Sequence, residues 1–168
     1  MKLDNPVSAS QLANRLNCPV RGESMITGIS EIHCISPGDL TFSDHPKYTK
    51  LALASDATVL ILNEWPEDQN GKAVILSKDP FADFVSLCKH YRPFVEIKDP
   101  IGKNTSVGKD TIIMPGAVIG NNVVIGDGCI IHPNVTIYDH SIIGDAVILY
   151  AGSVIGSDAF YFNRTGSG

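Results

Sequence analysis

Histidine and cysteine are the side chains of this sequence best suited to acid–base, nucleophilic or metal chemistry near neutral pH. The chain has five histidines and four cysteines. The cysteines stand singly with no Cys-x-x-Cys pair, and they are Cys18, Cys34, Cys88 and Cys129. Their spacing matches neither a zinc knuckle nor a redox dithiol, and scattered single thiols are typical of a reducing compartment. The sequence therefore predicts no metal site and no cofactor.

Two histidines lie in the last third of the chain beside residues that bear on their chemistry. His132 directly follows the aliphatic residue Ile131. His140 directly follows Asp139, and a carboxylate beside a histidine can orient the imidazole as a general base. Adjacent residues on a flat β wall point to opposite faces, so we do not expect Asp139 and His140 to act as a pair. We expect surface or subunit-contact roles for both histidines.

The composition excludes several classes of protein. Hydrophobic residues make up 43% of the 168 residues and charged residues 18%, a balance typical of neither a disordered chain nor a coiled coil. The net charge of -5 offers no basic surface for nucleic acid or an anionic membrane. The N-terminus has no apolar signal core, and no apolar run is long enough to span a bilayer. We expect a cytoplasmic protein that neither binds nucleic acid nor spans a membrane.

Branched aliphatic residues recur at every sixth position in the last third of the chain. These anchors are Ile101, Val107, Ile113, Ile119, Ile125, Ile131, Ile137, Ile143, Leu149 and Ile155. Glycine follows six of the ten anchors, at Gly102, Gly108, Gly120, Gly126, Gly144 and Gly156. A period of six fits neither a helix nor a simple alternating strand, but it fits a solenoid whose flat sides each use six residues. We expect the anchors to fill a narrow core and the glycines to allow the backbone conformation of the corners.

The first hundred residues predict a small α/β domain. A capping box at Ser8 and an N-cap at Asp79 mark the starts of helices. The predicted helices cover 8–17, 46–54 and 81–91, and the predicted strands cover 26–29, 32–35, 57–62 and 72–76. Residues 93–100 have the composition of a linker. The predicted fold class is therefore α+β, with an α/β domain over 1–100 and a solenoid over 101–168.

The repeat and the first domain together resemble known acyltransferases. The six-residue period resembles the left-handed parallel β-helix of the hexapeptide-repeat acyltransferases, in which three hexapeptides make one coil. Several segments are similar to one family of these, the UDP-3-O-(3-hydroxyacyl)glucosamine N-acyltransferases of lipid A biosynthesis. They are 28–32, 37–42, 44–48 and 57–60 in the first domain, and 134–138 and 156–160 in the repeat, where the family usually has Gly at the place of Ala159.

The resemblance implies an activity and its partners. A member of this family transfers a 3-hydroxyacyl chain from acyl carrier protein to the 2-amino group of a UDP-3-O-acylglucosamine. The resemblance also implies a homotrimer with active sites between neighbouring prisms, and a first domain that binds the uridine of the substrate.

The resemblance assigns the uracil site to three residues. Phe42 and Tyr48 correspond to the two aromatic rings between which the family holds the uracil, and a flat base gains stacking energy from such rings. His45 stands where the family usually has an Asn that bonds the base. The alternative is structural: Phe42 packs under the turn, Tyr48 faces the core, and His45 is a solvated loop residue.

No residue of this sequence is assigned as the catalytic base. In the resembled family the base is a histidine in an Ile-x-His-Asn segment of a later coil, and residues 101–168 supply only about three coils. We therefore expect a truncated β-helix that recognises substrate without the catalytic histidine. The alternative is a non-catalytic module that binds a nucleotide sugar, or serves in assembly, and ends at Gly168.

Overall fold

The computed structural model describes residues 1–157. The chain divides into two compact units, Met1–Phe94 and a second unit that begins at Val95, and each is described by itself. The segment of the resembled family that contains Ala159 extends outside the described residues.

A sheet of six strands with three helices makes up the first unit. The strands are β1 (Lys2–Ser8), β2 (Val20–Arg21), β3 (Met25–Ile29), β4 (Asp39–Ser43), β5 (Val59–Leu62) and β6 (Ala73–Leu76). The helices are α1 (Ala9–Leu16), α2 (Pro46–Ala54) and α3 (Pro80–Tyr91). The strand order is β1-β3-β4-β5-β6-β2, in which β3 to β6 run parallel and the two edge strands pair antiparallel.

Apolar clusters cover both faces of this sheet. On one face Leu40 and Ile61 pack in a core with residues of α1 and α3. On the other face Leu60 and Leu62 pack with Ala52 of α2. Every residue of β5 is buried, as expected of a central parallel strand with helices on both sides. The predicted α/β domain is confirmed.

The predicted helices are confirmed, whereas one predicted strand is wrong. Ser8 caps α1 with the expected capping box, and Asp79 caps α3. Residues 32–35 form turns instead of a strand, and Ile32 and Ile35 reach the core on the α2 face from this loop. Ile32 and Ile35 stand three residues apart, and this spacing lets both side chains pack against the core from a turn. The sequence patterns also missed β1, β2 and β4.

Nine strands of two residues each form the second unit over the described residues. They are β7 (Ser106–Val107), β8 (Ile112–Ile113), β9 (Val118–Ile119), β10 (Val124–Ile125), β11 (Ile130–Ile131), β12 (Thr136–Ile137), β13 (Ile142–Ile143), β14 (Ile148–Leu149) and β15 (Val154–Ile155). Each pairs in parallel with the strand 18 residues away, which gives three sheets of three strands. Three hexapeptides therefore make one coil, and the predicted parallel β-helix is confirmed.

The second residue of each short strand is the anchor of the six-residue period. Ile119, Ile131 and Ile137 are fully or almost fully buried, and with their neighbours they form one narrow core. The residue before each anchor faces outward, as the alternation of a strand requires. The period of six is thus the distance between one inward anchor and the next.

The corners of the β-helix do not use the glycines that follow the anchors. Among those six glycines only Gly156 has a positive φ. The left-handed residue instead stands three positions after the anchor in all nine described repeats: Asn104, Asp110, Gly116, Asn122, Gly128, Asn134, His140, Ala146 and Gly152. At Gly102, Gly108, Gly120 and Gly126 the next coil approaches closely: a β-carbon on Gly102 would lie 2.5 Å from the carbonyl carbon of Gly120, whereas one on Gly144 would meet no described atom within 4 Å.

Asp139 and His140 lie at one of these corners and not on a flat wall. His140 has a φ of 62°, a left-handed conformation. The expectation that the two side chains point to opposite faces of a flat β wall is therefore wrong in its geometry. The Asp139 carboxylate accepts hydrogen bonds from the backbone N–H of Asn121 at 2.8 Å and from its side-chain amide at 3.3 Å. Asp139 therefore joins neighbouring coils.

Candidate functional site

The predicted uracil-binding residues lie where β4 ends and α2 begins. Parallel strands with helices on both faces place their carboxyl ends along one edge, where α/β proteins bind ligands. Phe42 is the fourth residue of β4, His45 caps α2, and Tyr48 is in the first turn of α2. Pro46 at the first helical position and the cap at His45 start the helix here.

Phe42 is half-buried and packs against α3. Its ring centroid lies 4.7 Å from that of Phe84 and 5.7 Å from that of Phe81, both in tilted arrangements. It borders the core on the α1 and α3 face of the sheet. Phe42 thus has a packing role, and part of its side chain remains accessible.

Tyr48 is exposed and does not face the core. Its side chain is 42% exposed, and its ring lies 6.0 Å from the imidazole of His45, edge to face. The ammonium group of Lys47 lies 5.6 Å from the centre of the Tyr48 ring. An exposed aromatic face with a cation beside it suits a flat ligand that carries negative charge elsewhere.

His45 is the N-cap of α2, and its imidazole takes part in the cap. The Nδ1 atom accepts the backbone N–H of Lys47 at 3.2 Å, so the proton of the neutral ring is on Nε2. His45 therefore offers a hydrogen-bond donor to a ligand while its acceptor is used by the helix. A donor of this kind matches a carbonyl oxygen of a pyrimidine base.

Two hydroxyl groups that sequence reasoning missed hold the start of α2. The buried Ser43 Oγ lies 3.1 Å from the carbonyl oxygen of His45 and 3.1 Å from Thr49 Oγ1. Thr49 Oγ1 also lies within hydrogen-bond distance of that carbonyl, at 3.2 Å. A polar residue ending a buried strand, followed six positions later by Thr, is the pattern that points to them.

The structure brings Tyr48 and His45 into contact and places Phe42 against Phe81 and Phe84 of α3. Outside this region, His132 stacks on Tyr150 with ring centroids 5.2 Å apart and planes at 19°.

Among residues 1–157, no three histidine, cysteine or acidic side chains are grouped as metal ligands. No helix in that part of the chain combines the length and apolar character needed to cross a bilayer.

Comparison with protein families matches both units. Residues 23–90 match the family of UDP-3-O-(3-hydroxymyristoyl) glucosamine N-acyltransferase, LpxD. Residues 101–132 and 122–157 match the bacterial transferase hexapeptide repeat. The first match contains β4, α2 and the three predicted uracil-site residues, and the second contains all nine short strands.

Curated relatives carry the same description. A UDP-3-O-acylglucosamine N-acyltransferase of Pseudomonas syringae pv. syringae (strain B728a) is 26% identical over 117 residues, which is 67% of this chain and 33% of the relative. UDP-3-O-acylglucosamine N-acyltransferase 1 of Legionella pneumophila (strain Paris) is 34% identical over 120 residues, 67% of this chain and 34% of the relative.

A third relative, from Cytophaga hutchinsonii, has the same description and is 27% identical over 114 residues, 61% of this chain and 33% of its own length. The matched part of the chain thus spans about a third of each relative. A matching first domain, matching hexapeptide repeats and three relatives of one description agree with the resemblance inferred from the sequence. Residues 23–90 are therefore LpxD-like, and hexapeptide repeats follow them over residues 101–157.

Proposed function

We propose that this chain provides the nucleotide-recognition part of an N-acyltransferase of lipid A biosynthesis. The reaction transfers a 3-hydroxyacyl chain from acyl carrier protein to the 2-amino group of UDP-3-O-acylglucosamine. In it the amine nitrogen forms the amide bond, the carrier thiolate leaves, and the amine proton passes to a base. The observation that carries the proposal is the exposed Tyr48 ring beside the His45 donor, within the residues that match the family.

The role of the α2 start is to bind and orient the uridine of the substrate. The Tyr48 ring supplies a stacking surface, and Phe42 supplies the second ring assigned by the resemblance. His45 donates from Nε2 to a carbonyl oxygen of the base. Lys47, beside Tyr48, adds positive charge for the diphosphate. None of these groups touches the reacting amine, so each acts in binding.

Calorimetric titration of the 168-residue chain with UDP tests this site. Loss of a base–aromatic stack costs about 1–3 kcal/mol, so Tyr48→Ala should weaken UDP binding about tenfold. Leu51→Ala is the matched control, because Leu51 is also exposed on α2. Equal UDP affinity of the Tyr48 variant and the wild type would contradict the proposal.

We also propose that the chain forms a homotrimer through one wall of its β-helix. Three outward isoleucines stand in register on the sheet of β8, β11 and β14: Ile112, Ile130 and Ile148. Bulky side chains border them, at Met114, His132 and Tyr150. The corresponding outward residues are Ser106, Val124 and Ile142 on the second sheet and Val118, Thr136 and Val154 on the third, so each of those sheets has one polar residue among three. This aliphatic wall has the apolar character of a subunit contact.

Analytical ultracentrifugation of matched variants tests the trimer. Ile130 and Thr136 are the central outward residues of two different sheets, and both are half-buried. Ile130→Glu should shift the protein to a monomer, because a carboxylate at the centre of the contact would lose its hydration. Thr136→Glu should leave the trimer intact. A monomeric wild type, or equal effects of both variants, would contradict this assignment.

The cytoplasm is the proposed location. All four cysteines are unpaired, as expected in a reducing compartment, and two of them are only partly buried. Acyl carrier protein and UDP-sugars, the proposed substrates, are consistent with the same compartment. Fractionation of cells that express the tagged protein should recover it with a cytoplasmic marker, and recovery from a periplasmic extract would contradict the proposal.

A further inference from the structure

The carbonyl oxygen of His45, at the start of α2, is surrounded by four hydrogen-bond donors. Two are backbone groups, the N–H of Tyr48 at 2.9 Å and the N–H of Thr49 at 3.0 Å. The other two are hydroxyl groups, Ser43 Oγ at 3.1 Å and Thr49 Oγ1 at 3.2 Å. A carbonyl oxygen has two lone pairs, so the backbone donors already satisfy it. The helix therefore does not need the two hydroxyl groups in order to begin here.

Ser43 is a buried polar residue in an apolar part of the sheet. It ends β4, is 2% exposed, and pairs with Leu62 of β5, a strand in which every residue is buried. A buried hydroxyl group loses its hydration and must be bonded, whereas an alanine there would carry no such cost. The Ser43 hydroxyl is bonded, since it lies 3.1 Å from Thr49 Oγ1 as well as from the His45 carbonyl. A satisfied polar network of this kind holds its members in one arrangement.

A side chain from another strand end ties down the same turn. Asn63, the residue after β5, donates from its side-chain amide to the carbonyl oxygen of Asp44 at 3.2 Å. Both residues between Ser43 and α2, Asp44 and His45, thus have carbonyl groups within hydrogen-bond distance of side chains from neighbouring elements. The His45 ring is bonded as well, through Nδ1 to the N–H of Lys47. The turn is therefore fixed both along its backbone and at its imidazole.

We propose that Ser43 and Thr49 are positioning residues of the nucleotide site, which hold the His45 donor and the Tyr48 ring in the geometry that binds uridine. Neither hydroxyl group contacts the nucleotide on this proposal, and both act through the His45 carbonyl. A site that is already in its binding geometry loses less conformational freedom when the ligand binds, and this strengthens affinity. The inference rests on the proposed UDP-binding function and adds the residues that prepare the site for it.

Removal of the hydroxyl groups at nearly constant shape tests this role. UDP affinity of the whole chain is measured by calorimetry, at a temperature at which circular dichroism shows each variant to be folded. The double variant Ser43→Ala, Thr49→Val should bind UDP about fivefold more weakly than the wild type. Thr49→Val alone should also weaken binding, whereas Thr49→Ser keeps the hydroxyl group and should stay within about twofold of the wild type.

Thr41→Val is the matched control. Thr41 is buried on the same strand, two residues before Ser43 and on the same face, and its hydroxyl group has no hydrogen-bond partner among residues 1–157. Its removal should leave UDP affinity unchanged. Hydrogen exchange without ligand gives a second measurement: the N–H groups of Lys47 and Thr49 should exchange faster in the double variant, and those of α3 should not.

The outcomes separate this inference from the function on which it rests. A wild type that does not bind UDP would overturn both. If Tyr48→Ala weakens UDP binding but the double variant binds like the wild type, only the positioning role is wrong. Equal losses of affinity in Thr41→Val and the double variant, or unchanged exchange at Lys47 and Thr49, would also overturn it. If the double variant does not fold, equal affinities of Thr49→Val and Thr49→Ser would do so.

Discussion

The Nδ1 atom of His45 accepts the backbone N–H of Lys47 at 3.2 Å. One imidazole therefore caps a helix and presents a donor to solvent at the same time. The resembled family usually has Asn at this position, and an Asn side chain also has one acceptor for the cap and donors for a ligand. The structure explains how His can take the place of Asn at this helix cap.

Exchange of His45 tests this equivalence. His45→Asn should keep the thermal stability and the UDP affinity of the wild type within about twofold, since it keeps both the cap and a donor. His45→Ala should lose about 1 kcal/mol of stability and weaken UDP binding. Thermal unfolding and calorimetry measure the two quantities. An Ala variant that matches the Asn variant in both would show that the imidazole has neither role.

Substitution of Phe42 and substitution of Tyr48 should have different effects on the free energy of unfolding. Phe42→Ala should lower the free energy of unfolding by about 2 kcal/mol, because its ring packs on Phe81 and Phe84. Tyr48→Ala should change it by less than about 0.5 kcal/mol, because the Tyr48 side chain is exposed and lies outside the core clusters of the sheet. Urea unfolding measures both. Equal losses would mean that Tyr48 also supports the fold.

Asp39 should make the first unit sensitive to acid. Its buried carboxylate is desolvated, which alone would raise its pKa, but hydrogen bonds from Lys2, Ser30 and the backbone of Ser36 outweigh this and hold the pKa below its ordinary value. A lowered pKa gives stability that is full above the pKa of the unfolded chain, about 4, and is lost as the pH falls further.

Asp39→Asn tests that pH window. At pH 7 the variant should be about 2 kcal/mol less stable than the wild type, and the difference should shrink below about pH 4. Lys2→Met is the control for the ion pair alone. Since the Lys2 side chain is 64% exposed, its loss should cost less than about 1 kcal/mol. A pH-independent difference for Asp39→Asn would contradict the assignment.

Ala146 has an unfavourable backbone conformation at a corner of the β-helix. Its φ is 54°, a region that costs a residue with a β-carbon about 1 kcal/mol. Ala146→Gly should therefore raise the free energy of unfolding by about that amount. Gly128→Ala is the reverse control, because a β-carbon there meets no atom within 4 Å and only the φ of 65° opposes it. Stabilisation by both substitutions would contradict this account.

The β-helix was predictable because its signal is repeated. Ten anchors in one phase average out local ambiguity. The five anchors from Ile119 to Ile143 are buried as expected, whereas Ile101 and Val107 at the start of the β-helix are exposed. The corner chemistry was harder to predict. Asn, Asp and Gly three positions after the anchor carry the left-handed conformation, but His140 and Ala146 interrupt that pattern. Four of the six glycines directly after an anchor, Gly102, Gly108, Gly120 and Gly126, instead allow the close approach of the next coil.

In the first unit, helices were easier to predict than strands and site geometry. Capping residues at Ser8 and Asp79 act over three residues and can be seen in the sequence. Strand β4 carries buried Asp39, Thr41 and Ser43, so it lacks the apolar run of a central strand. The packing of Phe42 on α3 depends on residues about forty positions away, which local patterns do not report.

The hydrogen bonds at the corners of the β-helix join each coil to the next. The backbone N–H of Lys103 bonds to Asn121, and that of Asn121 bonds to Asp139, each 18 residues further along. The same relation joins Asp127 to Asp145. A one-residue insertion would disturb the rungs whose two residues lie on either side of it, whereas an insertion of 18 residues would add one whole coil and keep the spacing. Growth of such a protein in evolution is therefore expected by duplication of whole coils.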